Sequence, residues 1–220
     1  MVIHTENLTK LYKKGQTVIK ALDGIDLDIQ ENEFVVVRGP SGSGKTTLLL
    51  TIGGMLKPTS GQIIVEQQTI YGMSNSEITH FRAEKIGFIF QMFHLIPYLT
   101  ALENVMLPLS RTHERNGKNE SLEALEQVNM KDRIDHFPFE MSAGEKQRTA
   151  IARAMVKKPE ILLADEPTGN LDPRNAQEIA SLLSGFKQQG CTVIVVSHGR
   201  DCEIYCDRMI QLEKGKIYSL

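Results

Sequence analysis

Short continuous apolar runs recur along the chain at residues 34–37, 161–164 and 192–196. Strands of a parallel sheet are covered by helices on both faces, so their sequences read as apolar runs of this kind. Residues 25–29 differ because apolar and acidic positions alternate there, and residues 62–65 are followed directly by polar ones. Such strands expose one face, which is typical of an antiparallel sheet. The pattern therefore predicts an α/β chain with a mostly parallel sheet and an antiparallel side sheet.

Capping residues mark the predicted helix boundaries. Ser74 and Thr100 are each followed three positions later by Glu, which is the capping-box pattern of a helix start. Asp172 followed by proline predicts a third helix start, and Gly190 predicts where that helix ends.

The chain between residues 91 and 151 carries no strand pattern, whereas apolar side chains recur at helical spacing at Leu122, Leu125 and Val128. Residues 111–119 are charged and contain Asn-Gly, a turn signal, so we expect a solvated connector there. This part of the chain is therefore predicted to be a helical insertion.

Composition narrows the functional classes. The chain has 220 residues, of which 41% are hydrophobic and 24% charged, as in ordinary globular domains. Its net charge is −2 and no basic block occurs, so we expect no nucleic-acid partner. The first residues lack a signal-peptide pattern, and no apolar run approaches the ~18 residues of a spanning helix. We expect a cytoplasmic protein unless a partner carries it to a membrane.

Three thiol or imidazole side chains at four-residue intervals, His198, Cys202 and Cys206, could be read as metal ligands. Zinc sites take four ligands, commonly as two separated pairs, and the sequence contains no second pair. Cys191 opens the apolar run at 192–196, as a small core residue would. We therefore expect buried, reduced cysteines.

A glycine-rich stretch matches the phosphate-binding pattern G-x-x-x-x-G-K-[ST] and lies between an apolar run and a helical pattern. In such a loop, backbone N–H groups surround phosphate oxygens, Lys45 reaches the β and γ phosphates, and the Thr46 hydroxyl binds Mg²⁺. The alternative is a glycine-rich turn that binds nothing, which eight matching positions in the right context make improbable. The predicted phosphate-binding residues are Gly39, Pro40, Ser41, Gly42, Ser43, Gly44, Lys45, Thr46 and Thr47.

The apolar run at 161–164 ends in two acids, Asp165 and Glu166. A buried strand that ends this way delivers carboxylates to the sheet edge where ligands bind. Asp165 is predicted to hold Mg²⁺, and Glu166 to polarise the water that attacks the γ-phosphate. The alternative is an acidic pair that only caps a loop; the glycine loop favours the nucleotide site.

MSAGEKQR from Met141, followed by ILLADEPTGNLD from Ile161, resembles the signature and acidic motifs of ATP-binding-cassette (ABC) ATPases. The resemblance covers essentially the whole chain. It implies a P-loop NTPase (RecA-like) core with a mostly parallel sheet, an antiparallel β side sheet and a helical subdomain. It also implies one nucleotide-binding domain over residues 1–220, with the catalytic core and side sheet in 1–91 and 157–220 and the helical subdomain in 92–156.

The resemblance assigns further roles. It places Tyr12 on an adenine-stacking loop, Gln91 on a loop that senses Mg²⁺ and couples to a membrane partner, and His198 at the switch histidine. Simple alternatives are a surface tyrosine at a strand end, a polar strand terminator and a satisfied core histidine. The implied catalytic residues are Glu166, His198, Gln91 and Lys45. The implied Mg²⁺ ligands are Thr46, Gln91 and Asp165.

The signature itself contributes nucleotide contacts in this family. The implied contacts are Ser142, Ala143, Gly144 and Glu145, with Asp172 on the loop between subunits. Ser142 with Glu145 is also a capping box, which by itself would only start a helix running through Arg153. Ala143 stands where the family has glycine, and if that position needs a positive φ, Ala costs on the order of 1 kcal/mol. Gly199 stands where the family usually has Asp, which leaves the partner of His198 open.

Residues 86–105 most resemble the ATPases of lipoprotein-release, macrolide-export and antimicrobial-peptide-resistance systems. The resemblance implies ATP and Mg²⁺ as cofactors, an ATP-dependent head-to-tail homodimer and a separate transmembrane permease that holds the ATPase at the cytoplasmic face of the cell membrane. Alternatives are a cell-division or signalling ATPase that moves no cargo, and a DNA-repair or translation cassette. The DNA-repair cassette fits poorly because the sequence has no long coiled coil, and the translation cassette fits poorly because it has no second cassette.

Overall fold

The computed structural model describes residues 1–109 and 116–218, without the side chain of Lys14. The strands are β1 (Ile3–Lys14), β2 (Thr17–Ile29), β3 (Phe34–Arg38), β4 (Ser60–Val65), β5 (Gln68–Thr69), β6 (Ile86–Ile89), β7 (Ile161–Asp165), β8 (Thr192–Val196), β9 (Arg208–Glu213) and β10 (Lys216–Tyr218). The helices are α1 (Lys45–Ile52), α2 (Asn75–Lys85), α3 (Ala101–Met106), α4 (Gly117–Gln127), α5 (Ala143–Met155) and α6 (Pro173–Gln188).

The larger sheet has six strands in the order β10-β9-β3-β8-β7-β6. β6, β7, β8, β3 and β9 are parallel, and β10 pairs antiparallel with β9. The three apolar runs form β3, β7 and β8 at the centre of this sheet, and β8 is buried at every position. The predicted parallel strands are therefore confirmed.

The smaller sheet is antiparallel, in the order β2-β1-β4-β5. In β2, Ile25, Leu27 and Ile29 are buried while Asp26 and Asp28 are exposed. The alternation in sequence thus becomes one buried and one exposed face, as predicted for the side sheet.

Three helices begin where the capping residues predicted. Ser74 and Thr100 form complete capping boxes at the starts of α2 and α3. Asp172 caps α6, and Gly190, with φ of +96°, follows the end of that helix. These starts depend on hydrogen bonds to the next two or three residues, so they are readable from sequence alone.

Between β6 and β7 the described residues form helices and turns without a strand. The predicted connector at 111–119 is partly wrong, because α4 already begins at Gly117 with Asn116 as its N-cap residue. Residues 111–115 lie outside the described part of the chain. The assignment of residues 92–156 to a subdomain stays a prediction.

Each face of the larger sheet carries its own apolar core. Val36 and Val195 face a cluster that includes side chains of α3, α4, α5 and α6. Val37 and Val196, one position further along the same strands, face α1 and the smaller sheet. Covering both faces leaves the carboxyl ends of β3, β7 and β8 side by side at one edge, where the candidate site lies.

Candidate functional site

The glycine loop connects β3 to α1 and is pressed against two other elements. A Cβ atom on Gly39 would lie 1.9 Å from the carbonyl oxygen of Leu212, and one on Gly44 would lie 2.1 Å from that of Ala21. Gly42, with φ of +77°, has open space where a Cβ would lie. Close packing against β9 and β2 therefore requires glycine at two positions, and the left-handed turn requires it at the third.

Lys45 opens α1 and folds back across the loop. Its Nζ donates to the carbonyl oxygens of Gly39 at 2.8 Å and Pro40 at 3.1 Å. Burial lowers the pKa of the Lys45 ammonium, and two nearby carboxylates oppose that shift. The buried Ser43 hydroxyl has no hydrogen-bond partner among the described residues. A buried cation, a free hydroxyl and a helix N-terminus together fit an anion with several oxygens.

Thr46 and Asp165 meet although they come from α1 and β7. The Thr46 hydroxyl donates to Asp165 Oδ1 at 3.1 Å. Burial raises the pKa of Asp165, while the Thr46 hydrogen bond and the charges of Lys45 and His198 act in the opposite direction. Adjacent hydroxyl and carboxylate oxygens are hard ligands of the kind that Mg²⁺ takes, so this pair fits the predicted metal site.

Glu166 follows β7 in a strained conformation, with φ of +49°. A non-glycine residue in this region costs roughly 1–2 kcal/mol and persists where the surroundings hold it. Its N–H donates to the carbonyl oxygen of Val196 at 2.9 Å. Its Oε2 accepts from the His198 backbone N–H at 3.1 Å. Its buried Oε1 accepts no hydrogen bond among the described residues, although His198 Nε2 lies 3.1 Å away.

Gln91 lies just beyond β6, and its side chain is exposed. Its carbonyl oxygen accepts from the Asn170 amide at 2.9 Å, and its Nε2 would lie 3.3 Å from a Cβ on Gly169. No hydrogen bond joins Gln91 to Thr46 or Asp165 in the ranges that the structure covers. The loop after β7 therefore holds Gln91 near the site without bringing it to the predicted Mg²⁺ ligands.

The signature occupies the start of α5. Ser142 is the N-cap: its hydroxyl accepts from the Glu145 N–H at 3.3 Å, and Glu145 accepts from the Ser142 N–H at 2.8 Å. The backbone hydrogen bond from Ser142 holds the pKa of Glu145 below its usual value. Ala143 is the first helical residue and does not have a positive φ, so the conditional strain at this position does not arise.

Gly144 and Asp172 are linked by a residue that sequence reasoning missed. A Cβ on Gly144 would lie 2.6 Å from Asn175 Oδ1. Asn175 Nδ2 in turn donates to Asp172 Oδ2 at 2.6 Å, and the backbone N–H of Asn175 donates to Asp172 Oδ1 at 3.1 Å. This amide fixes the predicted intersubunit loop against the signature helix. An amide three positions after an N-cap Asp was the available signal.

Tyr12 does not lie on a loop as expected: it belongs to β1, where it pairs with Ile19 of β2. The ladder between these strands runs on to the end of the hairpin, which leaves no loop at this position. The Tyr12 side chain is 41% exposed, and Lys10 Nζ lies 5.5 Å from its ring centre. Ala21, two residues after the pairing partner of Tyr12, touches Gly44, so the hairpin flanks the glycine loop.

The carboxylate of Asp201 occupies the space beside Gly199. The Gly199 N–H donates to the Ser197 hydroxyl at 3.0 Å, and Asp201 Oδ2 would lie 2.7 Å from a Cβ on Gly199. Asp201 thus lies next to the position where the family has Asp, and the carboxylate beside His198 is Glu166.

The cysteines were expected to be buried and reduced. Cys191 and Cys202 are buried free cysteines, whereas Cys206 is a half-buried one. Burial raises the pKa of Cys191 and of Cys202 to about 12, so both are thiols at neutral pH.

Comparison with known proteins agrees with this geometry. Residues 22–169 match the family model described as ABC transporter. The lipoprotein-releasing system ATP-binding protein LolD of Xanthomonas oryzae pv. oryzae is 40% identical, over 100% of this chain and 91% of that protein. The macrolide export ATP-binding/permease protein MacB of Chlorobaculum tepidum is 41% identical, over 98% of this chain and 33% of that protein.

The dimeric structure of the cassette MJ0796, from Methanocaldococcus jannaschii, matches with a TM-score of 0.91 and 41% identity, covering 98% of this chain and 96% of that chain. A second dimeric structure of that cassette, in a post-hydrolysis state bound to ADP and Pi, also has a TM-score of 0.91, with 40% identity over the same shares.

Proposed function

Because the chain belongs to the ABC transporter family, we propose that it is the ATPase subunit that drives a membrane permease in export, lipoprotein release or peptide resistance. It is an ABC-type ATPase, with ATP as its substrate. The observation that carries the residue roles is the meeting of the glycine loop with the end of β7. There Thr46 contacts Asp165, and the buried Oε1 of Glu166 accepts no hydrogen bond from the described residues.

The loop residues would bind the phosphates of ATP. Among the described residues, the Lys45 ammonium has two carbonyl oxygens as acceptors, and phosphate oxygens are stronger acceptors because they are charged. The unsatisfied Ser43 hydroxyl would gain an acceptor as well. Thr46 and Asp165 would hold Mg²⁺, which when bound neutralises charge on the phosphates.

Glu166 is proposed to orient the attacking water. Its Oε1 is buried and accepts no hydrogen bond from the described residues, with His198 Nε2 3.1 Å away, while the His198 N–H holds Oε2. Water whose proton is accepted by a carboxylate is a better nucleophile, and a fixed carboxylate loses little entropy in this role. His198 thus holds the Glu166 carboxylate in place. Gln91 is proposed to approach Mg²⁺ from the neighbouring loop.

Hydrolysis would take place between two copies arranged head to tail. Ser142 and Gly144 lie at the start of α5, where free N–H groups can meet the γ-phosphate of the partner's ATP. Asp172 is held beside them through Asn175. MJ0796, which resembles this chain over nearly its whole length, forms a dimer.

The membrane component is proposed to be a separate permease. In the part of the chain that the structure describes, no helix has the length and apolar character needed to cross a bilayer. LolD is named as the ATP-binding protein of a release system, and MacB as a combined ATP-binding and permease protein. We propose that the ATPase works at the cytoplasmic face of the cell membrane, attached to its permease.

The test separates binding from hydrolysis. Glu166→Gln keeps the size of the side chain and removes the charge that polarises water, so the variant should bind MgATP, hydrolyse it very slowly and accumulate as a dimer. Size exclusion with light scattering measures the dimer. Hydrolysis at the wild-type rate, or normal ATP binding without a dimer, would contradict the proposed role of Glu166.

A second substitution distinguishes an interface role of Ser142 from simple capping. Ser142→Arg in the Glu166→Gln background should abolish the ATP-dependent dimer, because it places bulk where the partner's phosphate lies. Ser74→Arg is the matched control, since Ser74 caps α2 with the same hydrogen bonds. Both should lower stability by roughly 1 kcal/mol. If both variants dimerise equally, Ser142 is only a cap. Co-purification of the permease from native membranes would then identify the transport system.

A further inference from the structure

The loop that follows Gln91 contains two consecutive bulky residues in the left-handed region. Phe93 has φ of +60° and His94 has φ of +48°. Within the loop, the Phe93 N–H donates to Phe90 at 3.1 Å and the His94 N–H donates to Met92 at 2.6 Å. Strained backbone of this kind persists only when surrounding structure holds it. A contact from outside the loop is therefore expected at these two residues.

The contact comes from Arg153, in the last turn of α5. Its Nη2 donates to the Phe93 carbonyl oxygen at 2.7 Å, and its Nη1 donates to that of His94 at 2.6 Å. A guanidinium presents these donors as a rigid planar fork, so the two bonds fix the direction of both carbonyls at once.

Arg153 makes no ion pair that would offer a simpler account of its position. It is half-buried, and within residues 1–109 and 116–218 no carboxylate pairs with it. Burial lowers the pKa of its guanidinium, since removal from water disfavours the charge. The charge is thus placed in a costly environment, with the two loop carbonyls as its acceptors.

Arg153 and the signature belong to one rigid element. α5 runs for 13 residues without interruption from its N-cap, Ser142. At 1.5 Å per residue, Arg153 lies about 16 Å along the helix axis from Ser142. A shift or tilt of α5 therefore moves the signature and the acceptors of Arg153 together.

We propose that Arg153 is a positioning residue for hydrolysis, which ties the conformation of the Gln91 loop to the signature helix. The proposal rests on the proposed function of Gln91 at the nucleotide site. Arg153 acts through the loop, by holding it in the shape that presents Gln91. Its loss should slow the chemical step and leave ATP binding to the single chain in place, because the glycine loop proposed to bind the phosphates of the chain's own ATP connects β3 to α1 and is not part of α5.

The chain contains no tryptophan, which allows a single reporter in this loop. Met92 is 69% exposed, so Met92→Trp places a fluorophore beside Gln91 with little loss of packing. In this background, Arg153→Met removes the fork and keeps most of the apolar stem. Arg153→Lys keeps the charge but not the planar geometry. The full-length chain is used throughout.

The matched control is Arg148→Met, on the same helix. Arg148 donates to the Val128 carbonyl oxygen and pairs with Glu178, and it does not touch the loop. It therefore reproduces the loss of a largely buried arginine of α5. Urea unfolding of each variant measures the stability lost, so that effects on the loop can be separated from general destabilisation.

Four quantities are compared: MgATP affinity by calorimetry, kcat and KM for hydrolysis, and acrylamide quenching of the reporter. For Arg153→Met we expect affinity within about twofold of the parent and kcat lower by about tenfold to a hundredfold. Quenching should increase as the loop opens. Arg153→Lys should recover part of kcat, and Arg148→Met should change neither kcat nor quenching.

If Arg153→Met shows the same kcat and the same quenching as the Arg148→Met control, the proposal is overturned. Arg153 is then a structural contact only. If Arg153→Met does not fold, Arg153→Lys decides: wild-type kcat together with increased quenching would equally refute it. Failure of the proposed role of Gln91 has a different signature, because Gln91→Ala in the Met92→Trp background would then keep the kcat of its parent.

Discussion

The glycines of the phosphate loop should fail in two different ways when each is replaced by alanine. Gly42 has a positive φ, but no atom of the described residues lies within 4 Å of the position that a Cβ would take. Gly44 has φ of +108°, and its Cβ would lie 2.1 Å from the Ala21 carbonyl oxygen. We therefore expect Gly42→Ala to damage ATP binding more than folding, and Gly44→Ala to damage folding itself.

The magnitudes follow from these two environments. Alanine in the left-handed region costs roughly 1–2 kcal/mol, and this is the whole expected loss of unfolding free energy for Gly42→Ala. Gly44→Ala adds a collision with backbone that cannot rotate away, and overpacking of this kind costs a further 1–3 kcal/mol or so. Because the left-handed cost is common to both, the two variants should differ by about 1–3 kcal/mol in the free energy of unfolding.

Urea unfolding without nucleotide measures the stabilities, and calorimetry with MgATP measures the affinities. The Gly42→Ala methyl group enters open space where the phosphates are proposed to lie, so affinity should fall by at least about tenfold, or 1.4 kcal/mol. Gly185→Ala in α6 is the control, because its Cβ meets nothing and its φ is not positive. Helix propensity predicts that it gains up to about 1 kcal/mol of stability without a change in affinity.

Equal losses of stability in Gly42→Ala and Gly44→Ala would refute the assignment of close packing to Gly44. Wild-type ATP affinity in Gly42→Ala would refute the placement of the phosphates against this turn.

Two further variants test the hairpin. Tyr12→Ala should weaken MgATP binding by about 1–3 kcal/mol if the ring stacks on adenine. Calorimetry measures the affinity, with Tyr98→Ala as the exposed control, and an unchanged affinity would mean that Tyr12 is a surface residue only. The pKa of His4 is raised above its unfolded value, mainly by the hydrogen bond to Asp28 and next by that to Glu6. The stability that protonated His4 contributes is therefore complete below pH 6.5 and is lost as pH rises through the folded pKa. NMR titration measures the pKa of His4, and urea unfolding over roughly pH 6 to 9 measures the pH dependence of stability. Asp28→Asn should lower the pKa and weaken that pH dependence, and an unchanged pKa would contradict the assignment.

The sequence by itself determined the features that depend on neighbours along the chain. Capping at Ser74, Thr100 and Asp172 needs only the next two or three residues, so these three helix starts were predictable. The apolar runs identified the central parallel strands, because burial on both faces excludes polar residues. The order of the glycine loop, signature and acidic pair indicated the ATPase family, which the comparisons confirm.

Only the tertiary structure decided what depends on residues brought together from distant parts of the chain. Tyr12 was expected on a loop and lies in a strand, because its pairing with β2 extends along the hairpin. The strain considered at Ala143 is absent, since the helix begins there in ordinary geometry. Arg153 carried no motif and Asn175 only its spacing from the N-cap Asp172. Their partners became visible only when α5 met the Gln91 loop and α6. Such contacts follow from how strands and helices are ordered in space, which local periodicity and capping do not encode.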